Sequence, residues 1–424
     1  MQAFWQKFRL GLTGFCFRFA SAIVYAQYIY MKRHLVFILA FILIWAQKSR
    51  AQSGTENVSI SVLTCGVGDE LYSSFGHTGL RVRDTVRGVD DVYNYGLFNF
   101  SDPDFYSKFT RGKLLYFVGR TNFYSFMSEY EYDRRSVIEQ ELNLTNEEKA
   151  CILRFLNENL RPENASYKYD FLYDNCATRV RDIFPRTLGQ EFSFGNTLDN
   201  NTHLSFRQMI NQYLHNSHWS RLGINIVLGS NIDKVMSNTE TMFLPDMLMA
   251  GLKEAKMGSR KMTKAPVRLI EGADRSAPKP NAAMWTMLAV LVATVLIFFL
   301  KALHSLRTAW SFILLFTNGA LGCLLLFMWL GTDHQACNNN FNLLWAFPLN
   351  ILMAFTIFGP RKWHATYSIL AIILILAALL VNITGIQGMP LKEMLPYFLA
   401  MTYAYLFVYK RAKALPQSGT TSAQ

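Results

Sequence analysis

The sequence predicts an α+β domain exported from the cytoplasm, followed by an all-α bundle of about five transmembrane helices. Three observations lead there. The 424 residues are 51% hydrophobic and only 17% charged, where a soluble chain carries nearer a quarter of charged residues. The shortfall is local: residues 52–281 read as ordinary polar globular sequence, whereas 284–409 are mostly apolar. A short basic stretch, an apolar run and a small residue precede the polar part, the layout of a secretory signal. A simple cytosolic enzyme and a fully disordered chain are excluded. The net charge of +12 borders apolar segments, so it argues for a membrane rather than for nucleic acid.

Residues 1–30 mix aromatic and basic residues without a clear purpose, and Met31 is a second candidate start. From Met31 the chain runs Lys32-Arg33-His34, then an apolar stretch from Leu35 to Ala46. Ser49 and Ala51 stand where a signal peptidase cutting before Gln52 needs small residues, so 31–51 is expected to be a signal peptide. An uncleaved anchor is the alternative, but the apolar run is short for a span.

The exported domain is expected over 52–250. Val58, Ile60 and Val62 alternate as a half-buried strand does. Residues 77–84 and 91–97, on either side of a polar turn at Gly88, read as a hairpin; 113–119 and 136–144 are further strand candidates. Thr145 followed by Glu148 predicts a capping box opening a helix to about Leu160. A second helix is expected to begin at Asp174-Asn175-Cys176 and to stop before Pro185. From Tyr93 to Tyr132 the chain holds fourteen Phe and Tyr residues. Core packing accounts for most of them; a face against lipid is the sharper reading.

Residues 251–281 hold eight Lys/Arg against three acids and are expected, up to 283, to be a solvated basic linker or a strip on anionic headgroups. The spans are expected near 284–300, 309–330, 342–358, 367–384 and 394–409, each near the ~17–25 residues a bilayer requires. With the domain outside, the cytoplasmic side collects Lys301, Arg307, Arg361 and Lys362 in loops, Lys410 at the end of the transmembrane domain 284–410, and Arg411 and Lys413 in the tail 411–424. The opposite loops hold only Asp333, Lys392 and Glu393. That is the positive-inside asymmetry.

Chemistry concentrates at two places. In Ser74-Phe75-Gly76-His77-Thr78-Gly79-Leu80-Arg81-Val82-Arg83, His77 enters a strand. In Tyr169-Asp170-Phe171-Leu172-Tyr173-Asp174-Asn175-Cys176-Ala177-Thr178-Arg179, Cys176 falls in the first turn of a helix, where amide donors and the dipole stabilise a thiolate. A neighbouring imidazole would take the thiol proton and return it to a leaving group. Either residue alone is more often structural; together, in an exported domain, they point to catalysis. No cysteine pair forms a CxxC, and Cys65 and Cys151 are a possible disulfide that sequence cannot assign. His215 and His218 lack a third ligand, so neither a metal nor a cofactor is expected. Arg81, Arg83 and Arg179 are candidates for a phosphate or for ion pairs. The loop Asp333-His334-Gln335-Ala336-Cys337-Asn338-Asn339-Asn340 would face the same side as Cys176. His334, Asn338 and Asn340 are therefore candidates to hold a headgroup or an amine.

The phrases FGHTGLRVRD, VYNYGLF, FTRGKL and YDNCATRVRD resemble the amino-terminal domain of the Bacteroidetes-type lipoprotein N-acyltransferases, the Lnb family. The later TDHQACNNNFNLLWAFPLN is similar to the loop and span that follow it. More remotely, a His on a strand preceding a Cys on a helix resembles the permuted papain-like folds of NlpC/P60 hydrolases and lecithin:retinol-type acyltransferases. The resemblance implies a multi-pass protein of the bacterial inner membrane with a periplasmic catalytic domain. It implies transfer of an acyl chain from a phospholipid to the amine of a diacylglyceryl-cysteine lipoprotein. Cys176 and His77 are carried over as nucleophile and base, and Asn94 is the candidate orienting group. A peptidoglycan amidase or endopeptidase using the same pair is the runner-up, and a non-catalytic lipid-binding membrane protein the third possibility.

Overall fold

The structure, a computed structural model, describes residues 30–40, 54–199 and 202–415. Residues 30–40 are helical; the expected signal cleavage position and the tail beyond 415 lie outside the described residues.

A seven-stranded antiparallel sheet organises the α+β domain. Its strands are β1 (Val58–Cys65), β2 (His77–Asp84), β3 (Val89–Leu97), β4 (Leu115–Asn122), β5 (Val137–Glu141), β6 (Ser166–Lys168) and β7 (Val267–Ile270), in the order β7-β5-β1-β2-β3-β4-β6. The helices that bear on the site are α1 (Phe105–Thr110), α2 (Phe123–Tyr132), α3 (Asn146–Asn159), α4 (Cys176–Leu188), α5 (Phe206–Tyr213), α6 (His218–Val227) and α7 (Pro245–Lys253). Ile60, Val62, Leu80, Val82, Tyr93 and Tyr95 form one face of the sheet and pack beneath α3 and α4. Leu63, Cys65 and Val92 form the other, covered by Phe126, Met127 and Tyr130 of α2. The strand expected to be half-buried is therefore buried on both faces. The cause is α2, which follows β4 without a loop and starts on Asn122, whose side chain accepts the Tyr124 amide.

Two further expectations change. The helix from Cys176 does not stop at Pro185 but continues to Leu188 and ends on Gly189 at φ +78°. Pro185 forfeits one helical hydrogen bond, but burial of Ile183, Phe184 and Leu188 in the core holds the last turn. The basic stretch 251–283 is built into the domain rather than left as a free linker. Its Val267–Ile270 becomes the edge strand beside β5, and its charges pair as Arg260–Glu148, Lys264–Glu141 and Arg275–Asp69.

The carboxy-terminal region is helical: α8 (Ala282–Phe299), α9 (Arg307–Leu330), α10 (Asn350–Thr356), α11 (Trp363–Ile383) and α12 (Leu391–Lys413). Among the described residues three helical stretches are long and apolar enough to cross a membrane: Ala282–Phe299, Lys301–Leu330 and Trp363–Ile383. The segment expected at 342–358 is broken, with a 3-10 turn at Phe341–Leu344 separated from α10 around Pro348. Its asparagines are buried and paired. Asn342 bonds the Asn225 and Ile226 carbonyls, and Asn350 meets Asn318, Tyr367 and Tyr405.

The loops 331–341 and 385–390 lie against the α+β domain. Gly229 N donates to Ala336 O, Gly388 N to Asp233 Oδ1, and Arg221 of α6 pairs with Glu393 at the start of α12. The expected topology places both loops on the domain's side.

Candidate active site

Two local decisions bring Cys176 and His77 together. Asn175 caps α4 in a capping box with Thr178, and its amide also donates to the Phe171 and Phe243 carbonyls, which fixes the first helical turn. Cys176 is the first residue of that turn. His77 is the first residue of β2, so its ring stands at the sheet's end, where the helix N-terminus arrives. Asn94 on β3 lies opposite Gly79, two residues along β2 on the same face as His77. His77 Nε2 is 2.7 Å from Asn94 Oδ1. Because that oxygen can only accept, Nε2 carries the proton and Nδ1 is left for the thiol.

Burial opposes ionisation of Cys176, but the His77 charge, its hydrogen bond and the backbone amides of Thr78 and Ala177 outweigh it, and the thiol pKa falls below its ordinary value. Burial likewise depresses His77, and here the Cys176 charge and hydrogen bond, then Asn94, reverse the sign and raise it. The arrangement favours a thiolate–imidazolium pair. Both residues are half-buried, with a small part of their surface left accessible. Cys65, opposite His77 on β1, contrasts with it: full burial raises its thiol to about 12, leaving it inert.

Beside the pair the backbone opens. A bulge interrupts the β3–β4 ladder between Tyr95 and Leu97, with Gly96 at φ +93°. A side chain there would point to within 3.8 Å of Cys176 Cβ and 4.0 Å of the Tyr167 hydroxyl. That hydroxyl is buried without a hydrogen-bond partner, an uncommon condition. The Arg179 guanidinium lies 3.9 Å from the Tyr167 ring centroid and pairs with Asp174. Tyr167 was not legible as a site residue, since a lone Tyr in a three-residue strand carries no sequence signal.

Other candidates are placed elsewhere. Arg81 does not face a phosphate: it sits between Asp90 at 2.7 Å and Glu139 at 3.1 Å, with its guanidinium 3.4 Å from the Phe123 ring centroid. Arg83 is exposed near the far end of β2, six residues and about 20 Å from His77 along the strand. Asn340 is buried and fully used: it donates to the Ile226 and Val227 carbonyls and accepts from Asn342 and Gln387. Asn338 lies with its backbone against Gly229. His334 Nε2 donates to the Phe109 carbonyl at 3.2 Å, its ring packs on Gly112, and Asp333 pairs with Lys168. These residues fasten the membrane domain's loop to the α+β domain. His218 donates from Nε2 to the Lys279 carbonyl and accepts at Nδ1 from Arg221, and His215 donates to the Gln212 carbonyl. Cys65 and Cys151 are free thiols belonging to opposite sides of the sheet.

Two family models match this sequence. One, described as the Lnb N-terminal periplasmic domain, covers residues 46–212; the other, the Lnb transmembrane domain, covers 273–414. No curated protein and no solved structure matches the chain.

Proposed function

For a chain that belongs to the Lnb family, with a periplasmic domain and a transmembrane domain, we propose lipoprotein N-acylation through a thioester on Cys176. Family membership points to lipoprotein N-acylation, and the observation that carries the mechanism is the Cys176–His77–Asn94 alignment at a helix N-terminus. The order of a His-bearing strand before a Cys-bearing helix fits a permuted papain-like domain. The interrupted segment 341–358 and α12 would complete five passes of a bacterial inner-membrane protein.

In the first half-reaction the Cys176 thiolate adds to a phospholipid ester carbonyl. The tetrahedral oxyanion is held by the Thr78 and Ala177 amides, which already point at the sulfur, and by the unpartnered Tyr167 hydroxyl. Its collapse breaks the ester C–O bond, His77 gives its Nδ1 proton to the departing lysophospholipid, and an acyl-thioester remains. In the second, the free amine of a diacylglyceryl-cysteine lipoprotein adds to the thioester and passes a proton to His77. The C–N bond forms, the C–S bond breaks and the thiolate returns. Water must stay out, or the product is a free fatty acid.

Intact-mass measurement of the protein in phospholipid vesicles tests this. The expected result is one fatty-acyl increment on Cys176, removed by hydroxylamine and absent in Cys176→Ala. A Cys176→Ala protein that still N-acylates lipopeptide overturns the mechanism. Cleavage of wall peptide with no acyl increment would assign the pair to a hydrolase instead.

A further inference from the structure

The aromatic residues of 98–116, with Tyr169 after β6, run from exposed rings inward through buried Phe105 and half-buried Phe98 and Tyr116 to the core. They form a path. Phe109 lies 6.1 Å from Phe105, Phe105 is 5.7 Å from Phe98, Phe98 is 5.2 Å from Tyr116, and Tyr116 stacks on Tyr169 at 4.3 Å, all between ring centroids. Tyr169 ends the path on the same core against which Cys176 packs, and burial, with the Cys176 charge adding to it, raises its phenol. The outer end is open, with Phe100 73% exposed, Tyr106 81% and Phe109 52%. Three large rings in one short stretch are a costly surface to show to water.

The outer end also has a fixed position. The Phe109 carbonyl accepts from His334, and the Arg111 carbonyl accepts from the Asp333 amide at 2.9 Å. Asp333 stands three residues beyond Leu330, the last residue of α9. The exposed rings are therefore held at the end of a membrane-spanning helix, the level where aromatic side chains collect at a bilayer surface. The four centroid steps cover at most about 21 Å, somewhat more than one leaflet of a ~30 Å hydrocarbon core.

We propose that this ring series is the binding track for one acyl chain of a bilayer phospholipid, leading it from the membrane surface beside Leu330 to Cys176. The proposal rests on the thioester reading for its purpose but not for its test. The occupant is the donor phospholipid, because the track is continuous with the transmembrane region through the His334 loop. An ester whose chain lies along the rings has its carbonyl at the mouth beside Gly96, where the missing side chain leaves space.

The test uses full-length Cys176→Ala protein in vesicles of phosphatidylethanolamine carrying a diazirine near the end of one acyl chain. Photolysis should give adducts on residues 98–116 besides those on the spans. Adducts confined to 282–413 overturn the track. Adducts on 98–116 from a diazirine-bearing diacylated lipopeptide, but not from the phospholipid, give the track to the acceptor and equally overturn the proposal. A second measurement uses Phe100→Asp combined with Tyr106→Asp, both at exposed positions. Acyl-enzyme formation from vesicles should fall at least tenfold while iodoacetamide alkylates Cys176 at the wild-type rate; an unchanged acylation rate overturns it. If the wild-type protein itself never acquires an acyl group, the thioester mechanism fails, and the cross-linking map still decides the track.

Discussion

Asn94 sets the chemistry of its neighbour by accepting at one nitrogen of His77, which leaves the other to Cys176. The pair's reciprocal shifts define a pH window. The Cys176 thiol is lowered by His77 against the cost of burial, so its thiolate appears at a pH below that of a free thiol. His77, raised chiefly by the Cys176 charge over its own burial cost, stays protonated above its ordinary range. Iodoacetamide alkylation of Cys176 should thus remain fast below the usual thiol range. In His77→Ala, which removes the lowering partner and leaves burial, the acid limb should move to higher pH; an unmoved limb would separate the two residues. Tyr167→Phe should lower acyl-enzyme formation about tenfold or more while leaving alkylation unchanged, as measured by single-turnover mass spectrometry. Cys176 and His77 were legible because each stands inside a distinctive phrase at a position that local structure explains. Sequence left Arg81 open between a phosphate and an ion pair because its partners, Asp90 and Glu139, come from two other strands that only the sheet brings together.

At the scale of elements, the site depends on how α4 begins. Asn175 satisfies the Thr178 amide and two carbonyls, Phe171 just before it in the chain and Phe243, 68 residues away. Asn175→Ala should cost about 2 kcal/mol in a denaturant titration, cap and orphaned carbonyls together. It should also slow Cys176 alkylation, because the Ala177 amide loses its fixed direction. The capping box at Thr145 and the hairpin at Gly88 were readable since their signals span a few residues. Helix α2 was hidden for the opposite reason. Its apolar face is answered by Leu63, Cys65 and Val92, so its aromatic sequence becomes a helix only once a sheet lies beneath it. Edge strand β7 was hidden as well: it is only four residues long, and the basic stretch leading to it, with Arg260 and Lys264, finds its partners on α3 and β5.

Across the whole molecule, the α+β domain is seated on the helical region through buried polar groups. Arg207 is 3% exposed and bonds Asp233, Asn225 and the Leu228 and Gly229 carbonyls, while Asp233 accepts from the Gly388 amide. Arg221 meets Glu393 at 2.6 Å, and Asn281 meets the same carboxylate at 2.9 Å. Removing Glu393 leaves Arg221 with little water to replace its partner. Glu393→Ala should therefore lower the stability of the detergent-solubilised protein by about 2–3 kcal/mol, read as a drop in Tm. The apolar stretches and charge asymmetry made the bundle visible from sequence. The break at Pro348 and the asparagine contacts that stabilise it were not, since each asparagine's partner lies on another helix.

The Glu393 contact carries a consequence for biosynthesis. The residue that holds α6 in place belongs to the last helix of the chain. At ~5–20 residues per second it leaves the ribosome roughly ten seconds after β7 has closed the sheet's edge. The α+β domain's chain is complete throughout that interval. During it, Arg221 faces water, and the aromatic path has no His334 loop to anchor it until α9 has been inserted. The Cys176–His77 pair is thus synthesised before the surface its domain rests on, and joining the two halves must await the last helix.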